Sequence, residues 1–298
     1  MLIWNKIDQM IGSNPNVSKF IFCKDDAIAE SVLYAYPDYK TRTVICCSVM
    51  SGCPVGCTFC GTGKYYVRNL TSSEITSQVE HLIKTTNIDI AEIGNLQIML
   101  MSMGEPFLNM VEVTQAIKQM LVAYPESQIL VSTVAPKVNY SLFDALVMRH
   151  KNIGLQFSIH ESTDENRNKL IPYKNKLSLK EIAKLGIGYW QLSGNKPQIN
   201  YCAHENNISY DDASRLRWLF PPHIFNATVS VICETDRCKR TNPVNYADKF
   251  AVELGLQGYK VHIFNPAGQD DIGGGCGQLW FVQDWMKKHL FEPKVNIC

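Results

Sequence analysis

From residue 43 onward, short apolar runs alternate with amphipathic stretches, and this alternation limits the fold more than any other feature of the chain. The runs are Thr43–Ser48, Leu96–Met101, Gln128–Ser132, Gly154–Ile159, Gln198–Cys202, Ala227–Ile232 and Tyr259–Phe264. Their length and composition predict strands. Between them lie helical patterns. One runs from Thr71 to about Thr86 and opens on the capping box Thr71-Ser72-Ser73-Glu74; the others are Met110–Ala123, Leu142–Arg149, Ser178–Leu185, Tyr210–Leu219 and Val244–Leu254. A short helix near Phe281–His289 closes the chain. Strand–helix alternation at this spacing makes parallel βαβ units. There are roughly six, too few for a closed eight-unit barrel, which leaves a partial barrel or an open doubly wound sheet. In both, functional side chains gather at the C-terminal ends of strands. Upstream, Phe20–Cys23, the turn at Asp25-Asp26 and Ser31–Tyr36 predict a β-hairpin. Residues 1–42 are therefore a hairpin extension, and residues 43–298 the main α/β domain.

Composition bounds the function. The chain has 298 residues, 46% hydrophobic and 19% charged, which fits a folded enzyme and argues against disorder. Lys plus Arg number 29 and Asp plus Glu 28, so the net charge is +1. No global field draws such a chain onto nucleic acid or an anionic membrane; a local patch must do it. Two patches qualify: Arg167, Lys169, Lys174, Lys176, Lys180 and Lys184 against the single acid Glu181, and Arg237-Cys238-Lys239-Arg240. No apolar stretch is long enough for a membrane span, and the N-terminus has no secretory pattern. The expectation is a cytoplasmic monomer with no membrane partner. In that reduced compartment, 11 cysteines point to metal or redox chemistry.

Three of those cysteines are clustered. Cys53-Pro54-Val55-Gly56-Cys57-Thr58-Phe59-Cys60 is a CxxxCxxC motif directly after a predicted strand. A structural zinc site normally takes four ligands in two separated pairs, and no second pair is nearby. Three thiolates suit a 4Fe–4S cluster with one iron left open.

The motif, with an aromatic before its last cysteine, resembles that of the radical S-adenosylmethionine enzymes, whose fold is a partial βα barrel. The resemblance narrows to the RlmN/Cfr family of RNA adenine methyltransferases. It is carried by Cys46-Cys47-Ser48, Gly52-Cys53, Cys57, Cys60, Gly63, Asn69-Leu70-Thr71 and Glu74-Ile75. Met103-Gly104-Glu105-Pro106, Ser132-Thr133, Ser158-Ile159-His160 and Cys276-Gly277-Gln278-Leu279 follow in the same order. It implies a partial (βα)6 barrel in which Cys53, Cys57 and Cys60 hold the cluster and the open iron chelates S-adenosylmethionine. Reductive cleavage of that cofactor would give a 5′-deoxyadenosyl radical. Gly104 and Glu105 would hold the cofactor's amino group, and Ser132, Ser158 and His160 its ribose and methionine parts.

By the same resemblance, Cys276 accepts a methyl group and then links covalently to the adenine of a ribosomal or transfer RNA. Cys46 resolves that link by forming a disulfide with Cys276. Glu30 lies near the family glutamate that takes the ring proton. The electron comes from a donor such as flavodoxin. Cys47 is a packing residue; Cys23, Cys202, Cys233, Cys238 and Cys298 have no matched role.

Two departures stand out. The chain starts almost at the hairpin, where the family usually carries a longer helical segment that grips RNA. The family also has an Asn-Pro after an apolar strand that contacts the cofactor, and the stretch Val229–Glu234 taken as its equivalent has no Asn. A related radical enzyme acting on a smaller nucleotide or another RNA is the alternative. A non-catalytic, metal-bound RNA-binding module is the reading from a different class.

Overall fold

A ten-stranded sheet runs through the computed structural model, which describes residues 3–35, 37–233, 245–269, 271–275 and 277–279. Its first three strands, β1 (Lys6–Ile11), β2 (Val17–Lys24) and β3 (Ala27–Tyr34), form an antiparallel meander. The turn between β2 and β3 falls at Asp25-Asp26, with Asp25 left-handed at φ 54°. Strand β3 pairs antiparallel with β4 (Thr43–Cys47). A small hairpin, β5 (Met50–Gly52) and β6 (Tyr66–Asn69), then brackets the three-cysteine loop.

After it the chain settles into βα repeats: α1 (Ser72–Thr85), β7 (Leu96–Leu100), α2 (Met110–Ala123), β8 (Gln128–Thr133) and α3 (Ser141–Arg149). The series continues with β9 (Ile153–Ser158), α4 (Asp164–Leu170), α5 (Leu179–Ser193), β10 (Gln198–Ala203) and α6 (Tyr210–Leu219). It ends with β11 (Asn226–Val231), α7 (Tyr246–Leu256) and β12 (Val261–Phe264).

Strands β4, β7, β8, β9, β10, β11 and β12 pair in parallel and lie in chain order. A doubly wound sheet reverses its order at a switch point; this one never does. The helices pack on one another in succession as well, α1 on α2, α2 on α3, α3 on α5, α5 on α6 and α6 on α7. Six helical crossovers on one face of a singly wound sheet make the partial (βα)6 barrel expected from the sequence.

The main core lies between that face and the helices. Strand alternation assigns each side chain a layer. On β4, Ile45 and Cys47 join the main core with Ile98 and Leu100 of β7. Val44 and Cys46 point the other way, into a smaller apolar cluster with Val17, Val32, Tyr34, Met103, Ile272 and Leu279.

Most predicted elements are present within two residues. Helix α1 opens on Thr71 with both capping-box bonds formed. Glu74 of that box also meets Arg68 at 2.8 Å and Lys24 at 3.2 Å; these partners hold its carboxyl down to about 2 against the opposing effect of burial. Helix α5 outruns its expected end at Leu185 and stops at Ser193, capped by left-handed Gly194. Gly186 reads as a breaker, but a Cβ there would lie 2.4 Å from the Phe225 ring, so it is a packing glycine. Strand β1, a half-exposed edge with weak alternation, and the short polar α4 gave no signal in the sequence. The expected helix near Phe281–His289 lies outside the described residues.

Candidate active site

The concave side of the sheet holds a cavity of about 710 Å³. It is lined by Cys46, Cys53, Cys57, Cys60, Gly104, Glu105, Ser132, Ser158 and His160, all named from the sequence. Gly274, Gly275, Gly277 and Leu279 line it as well. Cys276 itself lies outside the described residues, but both flanks of its loop face this cavity.

The cysteine loop is seated from below and tied from the side. Val55 packs with Val134 and Ile171, and Cys53 and Cys57 rest on that cluster. The backbone bonds Thr58 N to Leu170 O at 3.0 Å and Gly61 N to Gly277 O at 2.7 Å fasten its two sides. Gly52 enters the loop at φ 78°, and a Cβ there would meet the Tyr65 carbonyl oxygen at 2.1 Å. Only glycine fits that approach.

Burial pushes the Cys53 thiol up to about 12, with Glu105 and Cys60 adding to the shift. A thiolate at this position therefore calls for a directly bound cation. Among the described residues, no three His, Cys, Asp or Glu side chains group around a single ion. A cubane cluster has no such need, because each cysteine binds a different iron. Two buried polar atoms facing the cavity, Ser102 Oγ and Gln156 Oε1, have no hydrogen-bond partner. Buried polar atoms left without partners are unusual in folded proteins. The donor set and the orphaned atoms together fit a cluster with a polar cofactor above it.

The strand ends supply the remaining groups. Gly104 has φ 101°, and a Cβ there would sit 2.6 Å from the Met50 side chain. The Glu105 carboxyl is buried and accepts from Phe107 N at 3.1 Å, Thr133 Oγ1 at 2.5 Å and Val134 N at 2.8 Å. It caps the turn that starts α2 rather than standing in solvent. Burial raises its pKa to about 7, although those hydrogen bonds and the nearby Arg167 pull the other way. Ser132 Oγ and Ser158 Oγ lie 3.2 Å apart across β8 and β9.

His160 is buried in a left-handed backbone conformation, φ 60°. Its Nδ1 accepts from Cys202 N at 3.2 Å, and its ring meets Phe59 edge to face at 5.3 Å. Burial and the nearby Arg167 hold its pKa down to about 3, so the imidazole is neutral with its proton assigned to Nε2. The aromatic before Cys60 thus locks the histidine to the cysteine loop.

The two strand cysteines face opposite ways: Cys46 lines the cavity, and Cys47 lies wholly in the helix-side core, its thiol pushed up by burial. Glu30 does not line the cavity. It shares a strand face with Val32 and Tyr34, which do, and it is fully buried in an ion pair with Lys19 at 2.5 Å.

Two sequence expectations need correction. The Asn-Pro after an apolar strand is present, but it follows β12 rather than β11: Asn265-Pro266 comes directly after Val261–Phe264, and Asn265 lines the cavity. Val229–Glu234, at the end of β11, lies one βα unit earlier. The basic run is also weaker than it reads. Arg167 is fully buried and donates to Leu177 O at 2.8 Å and Val134 O at 2.7 Å, while Lys176 is buried against Asn168 Oδ1 at 2.6 Å. The other patch, Arg237 to Arg240, lies outside the described residues. Cys233, which has no matched role, is buried beside the glycine loop: a Cβ on Gly275 would lie 2.5 Å from its Sγ.

Sequence reasoning missed the polar rungs below the strand ends. Gln156, Asn200 and Ser230 line the cavity on β9, β10 and β11, and Ser230 Oγ donates to Asn200 Oδ1 at 2.7 Å. Polar residues at alternate positions in otherwise apolar strands were the available signal.

No family model matches the chain. It is 31% identical over 271 residues to a Heliobacterium modesticaldum protein described as "Probable dual-specificity RNA methyltransferase RlmN", covering 86% of this chain and 68% of that protein. A Thermus thermophilus protein of the same description is 34% identical over 300 residues, covering 91% and 76%. Among solved structures, a radical SAM methyltransferase from Sphaerobacter thermophilus superposes with a TM-score of 0.78 at 25% identity, over 92% of this chain and 80% of that one. SuiB of Streptococcus suis, at TM-score 0.56 and 12% identity over 78% and 50% of the two chains, shares the fold. The singly wound partial barrel and its cysteine-lined mouth thus define a radical S-adenosylmethionine methyltransferase. Within that class, the chain belongs to the RlmN family of RNA methyltransferases.

Proposed function

We propose that this protein methylates a ring carbon of an adenine in ribosomal or transfer RNA, using Cys276 as the methyl carrier and Cys46 as the resolving thiol. One observation carries the reading. A single cavity gathers the three clustered cysteines, the polar strand ends, Cys46 and both flanks of the Cys276 loop.

Cys53, Cys57 and Cys60 would hold a 4Fe–4S cluster. Gly104, Glu105, Ser132, Ser158, His160 and Asn265 would hold S-adenosylmethionine. When bound, the two supply one-electron cleavage and a carbon radical, with the electron from an external donor such as flavodoxin.

The chain's own groups do the rest. The glycines around Cys276 let its sulfur approach both cofactor and base. Glu30 is the proposed acceptor of the proton lost from the modified ring carbon; its carboxyl, held behind Val32 and Tyr34 in the ion pair with Lys19, has to turn into the cavity to come within hydrogen-bond reach of the base. The Cys46 sulfur then attacks the Cys276 sulfur: an S–S bond forms, the C–S bond to the RNA breaks, and the released carbon takes up a proton. Cys46 belongs to the same apolar cluster as Ile272 and Leu279 on either side of the Cys276 loop, which favours it over Cys47 for this role. The exposed cations Lys169, Lys174, Lys180 and Lys184 offer phosphate contacts. The protein is proposed to act as a cytoplasmic monomer.

The test is anaerobic reconstitution with iron, sulfide, S-adenosylmethionine and a reductant, followed by mass spectrometry of the protein and of added RNA. Methylated Cys276, 5′-deoxyadenosine and a methylated adenine are expected. An unmethylated Cys276, or methyl transfer to free nucleotides in preference to RNA, would overturn the reading.

A further inference from the structure

Lys19 of β2 and Glu30 of β3 are both fully buried, and their charges meet at 2.5 Å. In the β2–β3 register Lys19 stands opposite Val32 and Glu30 opposite Ile21, so the two are diagonal neighbours on one face. Taking two charges out of water costs several kcal/mol each, and an apolar pair of similar volume is often as stable or more so. Stability alone is therefore a poor reason for an ion pair at this position.

The ammonium has a second partner. Lys19 Nζ donates to Gly273 O at 3.3 Å, and Tyr34 Oη, on the same face, donates to Gly274 O at 2.6 Å. Consecutive carbonyls of the glycine loop are thus held by consecutive rows of the hairpin. The loop is closed on itself by Gly274 N to Gly268 O at 3.1 Å and Gly275 N to Gln278 Oε1 at 2.8 Å. Glycine-rich backbone has little of its own to keep it in one place.

We propose that Lys19 is a positioning residue that ties the glycine loop flanking Cys276 to the hairpin carrying Glu30, holding that loop at the mouth of the cavity. Lys19 has three donors and no acceptor, so it can serve the carboxylate and the carbonyl at once. Tyr34 is the second fastening. The inference rests on the roles given above to Cys276 and Glu30.

Two measurements test it on the full chain. Hydrogen exchange of residues 268–275 reads the fastening directly, with α5 as internal control. Lys19→Met is expected to raise exchange there about tenfold, and Tyr34→Phe about fivefold, the loss of a typical buried hydrogen bond. Glu30→Gln leaves the bond to Gly273 in place and is expected to keep the loop protected. Because Lys19→Met removes the ammonium beside a buried carboxylate and can fail to fold, Tyr34→Phe decides the matter in that event. Unchanged loop exchange in every folded Lys19 and Tyr34 variant overturns the inference.

The second measurement uses reconstituted enzyme. Lys19→Met is expected to form 5′-deoxyadenosine at the wild-type rate while methylated RNA falls at least about tenfold. Equal loss of both would show general damage and overturn the positioning role. If the loop loosens in Lys19→Met while Glu30→Gln turns over normally, the proton-acceptor role of Glu30 fails, and the fastening of the loop stands.

Discussion

Glu105→Gln is the sharpest physical probe of the site. The folded carboxyl has a pKa of about 7, against a reference of 4.5. A raised pKa means that the folded state binds the proton more tightly than the unfolded state. The associated stability is fully present below pH 4.5 and is lost as pH rises through about 7. Moving a carboxyl from 4.5 to about 7 is worth about 3.5 kcal/mol in full, of which about 3 kcal/mol falls between pH 4 and pH 8. Glutamine does not titrate. Its amide has one acceptor and one donor end, so the –NH₂ faces the N–H of either Val134 or Phe107, which adds a roughly constant offset of about 1–3 kcal/mol. His160, depressed to about 3, contributes its own pH dependence, but it does so in both proteins and cancels in the difference. The assay is urea unfolding of both proteins from pH 4 to 8. Wild-type stability relative to Glu105→Gln should fall by about 3 kcal/mol across that range. A flat difference, or one that grows with pH, would refute the account of Glu105 as a buried carboxyl strained by desolvation.

Other substitutions test neighbouring parts of the site. Gly52→Ala places a Cβ 2.1 Å from the Tyr65 oxygen in a left-handed backbone; loss of bound iron and sulfide per chain is expected, with about 2 kcal/mol or more of destabilisation. Arg167→Met strips the carbonyls of Val134 and Leu177 of their donor and should lower stability by about 3 kcal/mol in urea, while exposed Lys180→Met changes it by less than about 0.5 kcal/mol. Cys46→Ala should accumulate a covalent protein–RNA adduct visible on denaturing gels. Cys47→Ala, altered only in the helix-side core, should not.

Much of the fold was legible because its determinants are local. Capping boxes at Thr71 and Ser178 and seven apolar runs located most helices and strands. What escaped depends on tertiary partners. Edge strand β1 is recognisable only by its pairing with β2, and Gly186 only by the ring it touches. The site divides in the same way. The three cysteines and the strand-end residues Gly104, Ser132, Ser158 and His160 carry their chemistry in sequence order. The burial of Arg167 and the place of Asn265-Pro266 beside the cavity each need the strand register or the packing. Lys19 carried no signal at all, because its partners Glu30 and Gly273 are fixed only once the hairpin and the loop meet.

That meeting has a bearing on the order of folding. Lys19 and Gly273 are 254 positions apart, and Ser13 bonds Asp271 across 258. Contacts at such separation form late, after the successive βα units have assembled. During synthesis the hairpin must therefore wait for Gly273 before its buried lysine finds both partners. Until then an ammonium and a carboxylate, both bound for a dry interior, remain hydrated, and the mouth of the barrel is unfinished. A chain without residues 271–275 would keep the sheet but lose the fastenings of Asp271 to Ser13 and of Gly273 to Lys19. Such a product would be exposed to chaperones and proteases through its first strands rather than its last.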